Sequence, residues 1–133
     1  MTNYRRIHRD ANHVPIVNEL RARGYSVADF AGAGNGVPDI LVHKRNTVFI
    51  ELKMPNGFFR LNQLLFLAQW KGLAGFAETV EQCIALEGDP WLCLKDSDKA
   101  RILQIVERRK VTSKAKDPQI TVKSFEKEFR NNA

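Results

Sequence analysis

Three residues in the stretch GVPDILVHKRNTVFIELKMP carry charges that two otherwise apolar strands have little reason to hold: Asp39, Glu51 and Lys53. Buried charge is costly unless something pairs with it. Two carboxylates brought together repel unless a cation lies between them. Hard oxygen ligands with open positions suit Mg²⁺ or Mn²⁺. An ion there would polarise a phosphoryl oxygen and acidify a bound water. Lys53 could position that water or neutralise charge on a phosphate, and the backbone carbonyl of Leu52, between the two side chains, is a natural further ligand. The plainer reading is an Asp–Lys or Glu–Lys ion pair at a wet, frayed sheet edge.

The turn decides between these readings. A two-residue reversal at Arg45-Asn46 sets Asp39 opposite Leu52, on the face away from Glu51. A three-residue reversal, Lys44-Arg45-Asn46, pairs residue 43 with 47 and residue 39 with 51, and cross-strand partners share a face. Such a turn favours a left-handed last residue, which Asn tolerates, so Asn46 points to the three-residue form. Glu51 and Lys53 share a face on period-two alternation.

These strands need neighbours. Ile40, Leu41 and Val42 in one, and Val48, Phe49 and Ile50 in the other, are apolar on both faces, as in a sheet covered by helices on both sides. Residues 10–23 read as a helix with Asp10 or Asn12 as cap and Gly24 as its stop. YSVADF reads as a short strand, and AGAGNG, residues 31–36, as a glycine-rich turn rather than a phosphate cradle. Residues 61–72 read as a helix ending near Gly72, GFAET as a strand, and TVEQCIAL as a helix capped by Thr79. The sum is an α/β sandwich. Beyond Asp89-Pro90 the spacing predicts a helix over 96–109, a linker, then ITVKSFEKEF as a strand and short helix. Trp70 and Trp91 read as core or interface residues.

The chain has 133 residues and a formal charge of +6. Residues 95–133 carry 11 Lys/Arg against 6 Asp/Glu, whereas residues 1–94 are nearly balanced. Basic segments favour polyanions by releasing condensed counterions, so charge favours a nucleic-acid partner over a merely solvated tail. Arg108, Arg109, Lys110, Lys114 and Lys116 form the densest cluster, with Arg5, Arg6 and Arg9 a smaller one. No apolar run is long enough to span a membrane, and the N-terminus lacks a signal-peptide core. Two cysteines without CxxC spacing point to a reduced, cytoplasmic protein without zinc.

"PD", eleven residues, then "ELK" resembles the PD-(D/E)xK nuclease superfamily. Gly36 in GVPD and Gln63 in RLNQLLFL make the chain similar, over residues 9–87, to its virus-type replication-repair nuclease (VRR-NUC) branch, related to Holliday-junction resolvases. RDAN...IV..LR..G also resembles small phage proteins of this type. The resemblance implies a restriction-endonuclease-like sandwich with a central mixed sheet, spanning residues 1–94, with residues 95–133 as a basic extension that binds DNA or dimerises. It implies Asp39 and Glu51 as metal ligands, Lys53 as the catalytic lysine and Gln63 as a contact to the site or the scissile phosphate. Relatives often place a Glu on the first helix. Here His13 stands near that place, with Glu19 later on the helix, and the choice stays open. The implied activity is Mg²⁺- or Mn²⁺-dependent hydrolysis of DNA phosphodiesters leaving a 5′-phosphate, by a homodimer of phage or mobile-element type in a bacterial host. By family analogy branched, junction-like DNA leads as the substrate and a specific duplex site comes second, the appendage favouring the second. A non-catalytic DNA-binding protein that keeps the fold, and a protein-interaction module, are the alternatives.

Overall fold

A computed structural model describes residues 11–131. Arg5, Arg6, Arg9 and Asp10 lie outside them. Ile16, Val17 and Leu20 recur at helical spacing and form the buried side of α1, His13–Ala22. Gly24, at φ +89°, turns the chain out of the helix, a conformation that side chains resist. β1 (Ser26–Asp29), β2 (Ile40–His43) and β3 (Thr47–Leu52) follow, then the short β4 (Phe58–Arg60), α2 (Leu61–Gln69), β5 (Leu73–Ala77) and α3 (Val80–Gly88). A 3₁₀ turn at Pro90–Leu92 leads to α4 (Asp96–Thr112), β6 (Gln119–Thr121) and α5 (Val122–Asn131).

The main sheet is mixed, ordered β1-β2-β3-β5, with β3 and β5 parallel and the other pairs antiparallel. The two-faced apolar pattern has the expected consequence. Ile40, Val42, Val48, Ile50 and Leu52 pack with Ile16, Val17 and Leu20 of α1 and Cys83 and Leu86 of α3. On the other face Phe49 and Ala74 meet Leu67 of α2. Phe49, Glu51 and Lys53 alternate with the first set, so the charged residues share the α2 face.

The reversal between β2 and β3 has the three-residue form: His43 pairs with Thr47, and Ile40 with Ile50. Asn46 does not take the left-handed conformation; Asn35 is the one non-glycine residue with positive φ among those described. The turn is held from outside instead. Glu87 of α3, 2% exposed, accepts the backbone N–H groups of Lys44 (3.1 Å), Arg45 (2.5 Å) and Asn46 (2.8 Å). The Asn46 amide donates back to the Glu87 carbonyl at 2.6 Å. Three converging N–H groups make a concave anion site, and here a carboxylate of the same chain fills it.

Thr79 caps α3, its hydroxyl accepting from Gln82 N at 3.2 Å. Asn12 stands at the start of α1 but does not cap it. α2 stops at Gln69 rather than near Gly72, and Lys99 of α4 donates to the carbonyls of Trp70 and Gly72 just beyond it. Trp70 packs edge-on against Phe49 and stacks on Phe66. Trp91, by contrast, is 80% exposed and belongs to no core. Both cysteines are free and buried; burial pushes the Cys83 thiol up to about 12 and Cys93 upward as well.

The residues from 95 onward, expected as an appendage, share a core with the rest. Ile102, Ile105 and Val106 of α4, Ile120 of β6, and Val122 and Phe125 of α5 pack with Phe59, Leu61, Leu64 and Ala68. β6 pairs antiparallel with β4, Phe58 opposite Thr121 and Arg60 opposite Gln119. The physical reason is the apolar side of α2 that the main sheet does not cover. α4 covers it, and β4 would have no strand partner without β6.

Candidate active site

Continuing the β2–β3 register by one residue brings Asp39 across from Glu51, and both line one cavity of about 710 Å³ together with Leu52, Lys53 and Gln63. Asp39 sits at the mouth of β2, its backbone carbonyl accepting Phe30 N at 2.8 Å. Its carboxylate accepts the N–H of Leu52 at 2.9 Å through Oδ2. The N–H and C=O of one strand residue leave on the same side, so the Leu52 carbonyl shares the side on which Asp39 lies. Glu51 is 2% exposed. Asn12 supports this end of the sheet, its amide donating to the carbonyls of Lys53 (3.2 Å) and Glu78 (3.0 Å) and so tying the ends of β3 and β5 together.

Lys53 crosses the cavity wall, with its ammonium 5.5 Å from the centre of the Phe76 ring and paired with the carboxylate of Glu126 on α5. Gln63 accepts Arg60 N at 2.9 Å and so caps α2 at the site. Gly36, at φ +75°, lies where a Cβ would stand 2.2 Å from the Asn62 carbonyl oxygen. No side chain fits between the 31–36 turn and the start of α2. That turn, read from sequence as mere punctuation, lines the cavity through Gly32, Gly34 and Asn35.

The other candidates fall elsewhere. His13 is buried, not exposed as a first-turn residue would be, and its Nε2 lies 3.0 Å from Asp29 Oδ1 beneath α1. Glu19 is on the surface, accepting from Arg23 at 2.9 Å. Neither lines the cavity, because α1 crosses the opposite face of the sheet. Arg108 and Arg109 lie in the last turns of α4 and face Glu128 of α5 at 3.9 and 3.1 Å. Lys110, Lys114 and Lys116 are exposed and also away from the cavity.

Sequence reasoning missed Glu126, along with Arg60 and Gln119, which stand with Phe58 on the β4–β6 ribbon at the cavity rim. Phe58 is 59% exposed and Phe59 buried; strand alternation at "FF" could have separated them once β4 was recognised. Nothing local marks Glu126, which lies 73 residues from Lys53.

The donor set suits a hard divalent cation: two carboxylates and one carbonyl on one cavity. Among the described residues no three His, Cys, Asp or Glu side chains gather to hold a metal alone. Mg²⁺ is commonly held by one or two carboxylates and keeps several waters. No described helix is long and apolar enough to cross a membrane. Comparison with family models, curated proteins and solved structures finds no match.

Proposed function

We propose that this chain is a metal-dependent DNA endonuclease with the PD-(D/E)xK fold, of the VRR-NUC and junction-resolvase-like branch. The observation that carries the reading is the convergence of Asp39, Glu51, the Leu52 carbonyl and Lys53 on one cavity. Glu51 is 2% exposed, so this end of the sheet is not a wet, frayed edge.

Asp39 and Glu51, with the Leu52 carbonyl, would hold Mg²⁺ or Mn²⁺. When bound, the ion supplies a Lewis acid for the scissile phosphate and a water acidified toward hydroxide. The Leu52 N–H fixes one oxygen of Asp39, which orients the other. The Lys53 ammonium has three donors and offsets negative charge developing on the phosphate. Gln63 borders the same cavity from the first turn of α2. The product would be a 5′-phosphate and a 3′-hydroxyl, as the superfamily implies. Packing of residues 95–131 into the main body favours structure-selective cutting of branched DNA over an appended sequence reader. One such site per chain makes a homodimer the natural way to cut two strands.

The test incubates the protein with supercoiled plasmid, linear duplex and a synthetic four-way junction in Mg²⁺, Mn²⁺ or EDTA. Cutting is expected only with metal and best on the junction. Asp39→Asn and Glu51→Gln should each lower the rate by about 100-fold or more and leave the melting temperature near wild type. Undiminished cutting by either variant rejects the site. Binding without cutting in any metal favours a non-catalytic DNA-binding protein.

A further inference from the structure

We infer that Glu126, on α5, is a positioning residue for Lys53, so that the basic C-terminal region completes the active site rather than decorating it. The inference rests on the proposed nuclease reading and assigns a role that the PD–ExK pattern does not contain.

Three observations converge. The Lys53 ammonium is paired with the Glu126 carboxylate. The Lys53 side chain is only 12% exposed and runs along an aromatic wall, its charge near the Phe76 ring; Phe76 packs in turn on Phe59 and Phe125. Phe125, Glu126's neighbour, is 1% exposed, which fixes the helix turn that presents the carboxylate. A long amine has many rotamers, and holding it in one is an entropic cost met before substrate arrives. A charged acceptor directs the ammonium through a strong hydrogen bond and leaves further N–H groups for a phosphate oxygen. β6 and α5 also bring Gln119 and Val122 to the cavity, so the same segment builds the wall behind the lysine.

The experiment uses the full chain. Single-turnover cleavage of the preferred substrate in saturating Mg²⁺ is compared for wild type, Glu126→Ala, Glu126→Gln and Glu126→Asp. DNA binding in Ca²⁺ and the melting temperature are measured beside it. Glu126→Ala is expected to cut at least about ten-fold more slowly with affinity changed less than two-fold, and Glu126→Asp to recover part of the rate. Cutting within two-fold of wild type, or a loss matched by an equal loss of DNA affinity, overturns the role. If Glu126→Ala fails to fold, Glu126→Gln, the same shape without the charge, decides by the same criteria. Wild type that cuts no DNA in any metal overturns the nuclease reading and the role with it; wild type that cuts leaves only the role at stake.

Discussion

Glu87 holds the β2–β3 turn in shape, and the turn's shape sets the register on which Asp39 and Glu51 meet. Burial pushes the Glu87 carboxyl up. The N–H groups of Arg45, Asn46 and Lys44, with the charge of Arg45, outweigh that and hold it below its ordinary 4.5. A carboxyl depressed by folding stabilises fully above its unfolded value and loses that contribution as pH falls through its folded value. Glu87→Gln should therefore melt lower than wild type at pH 7, consistent with losing charged hydrogen bonds of about 1.5–3 kcal/mol. The gap should narrow steadily below about pH 4.5. A gap that is constant from pH 7 to 3 would show that the charge of Glu87 does not matter. No local pattern marks this carboxylate, whereas Asn46 stands where a three-residue turn wants it. Residue preference pointed to the right turn length for a reason the molecule does not use, because a buried acceptor from another helix substitutes for left-handed geometry.

At the scale of elements, what could be read was what repeats locally. The two-faced strands, the 3.6-residue spacing of α1 and the Thr79 cap each carry their own pattern, so the four-strand sheet and its covering helices were legible. β4 was not, because three residues have no period and the strand exists only through Thr121, Ile120 and Gln119. The reach of α4 to Thr112 was also missed; Lys110 suits a helix C-terminus, but from Lys110 onward the chain read as a linker. The charge excess in this region likewise hid its core. Phe125→Ala should cost about 3–5 kcal/mol, as for other large buried aromatics, and lower the melting temperature by roughly 10 °C or more. Thermal unfolding followed by circular dichroism checks it; a shift of only a degree or two would mean α5 is not part of the cooperative unit. Deleting residues 108–133 is accordingly expected to unfold the chain.

For the whole molecule the charge balance has to be read together with its internal pairing. Arg108 and Arg109 share Glu128, and Arg60 faces Asp117 at 3.4 Å, so part of the basic excess is already answered within the fold. Lys110, Lys114 and Lys116 remain exposed and are the better candidates for binding phosphates. Replacing all three with Gln should flatten the dependence of DNA affinity on log salt, by up to about 0.9 for each phosphate these lysines neutralise. Glu128→Gln should act oppositely, freeing two guanidinium groups and tightening DNA binding at low salt. Fluorescence anisotropy across a salt series reads both. Unchanged slopes in the triple variant would move the DNA path to the cavity rim, where Arg60 and Phe58 stand.

The 73-residue gap between Lys53 and Glu126 also has a meaning in time. On a ribosome adding about 5–20 residues per second, the hairpin with both acids emerges several seconds before the carboxylate that grips its amine. During that interval the nascent chain already displays the acids, but nothing yet holds the lysine against them.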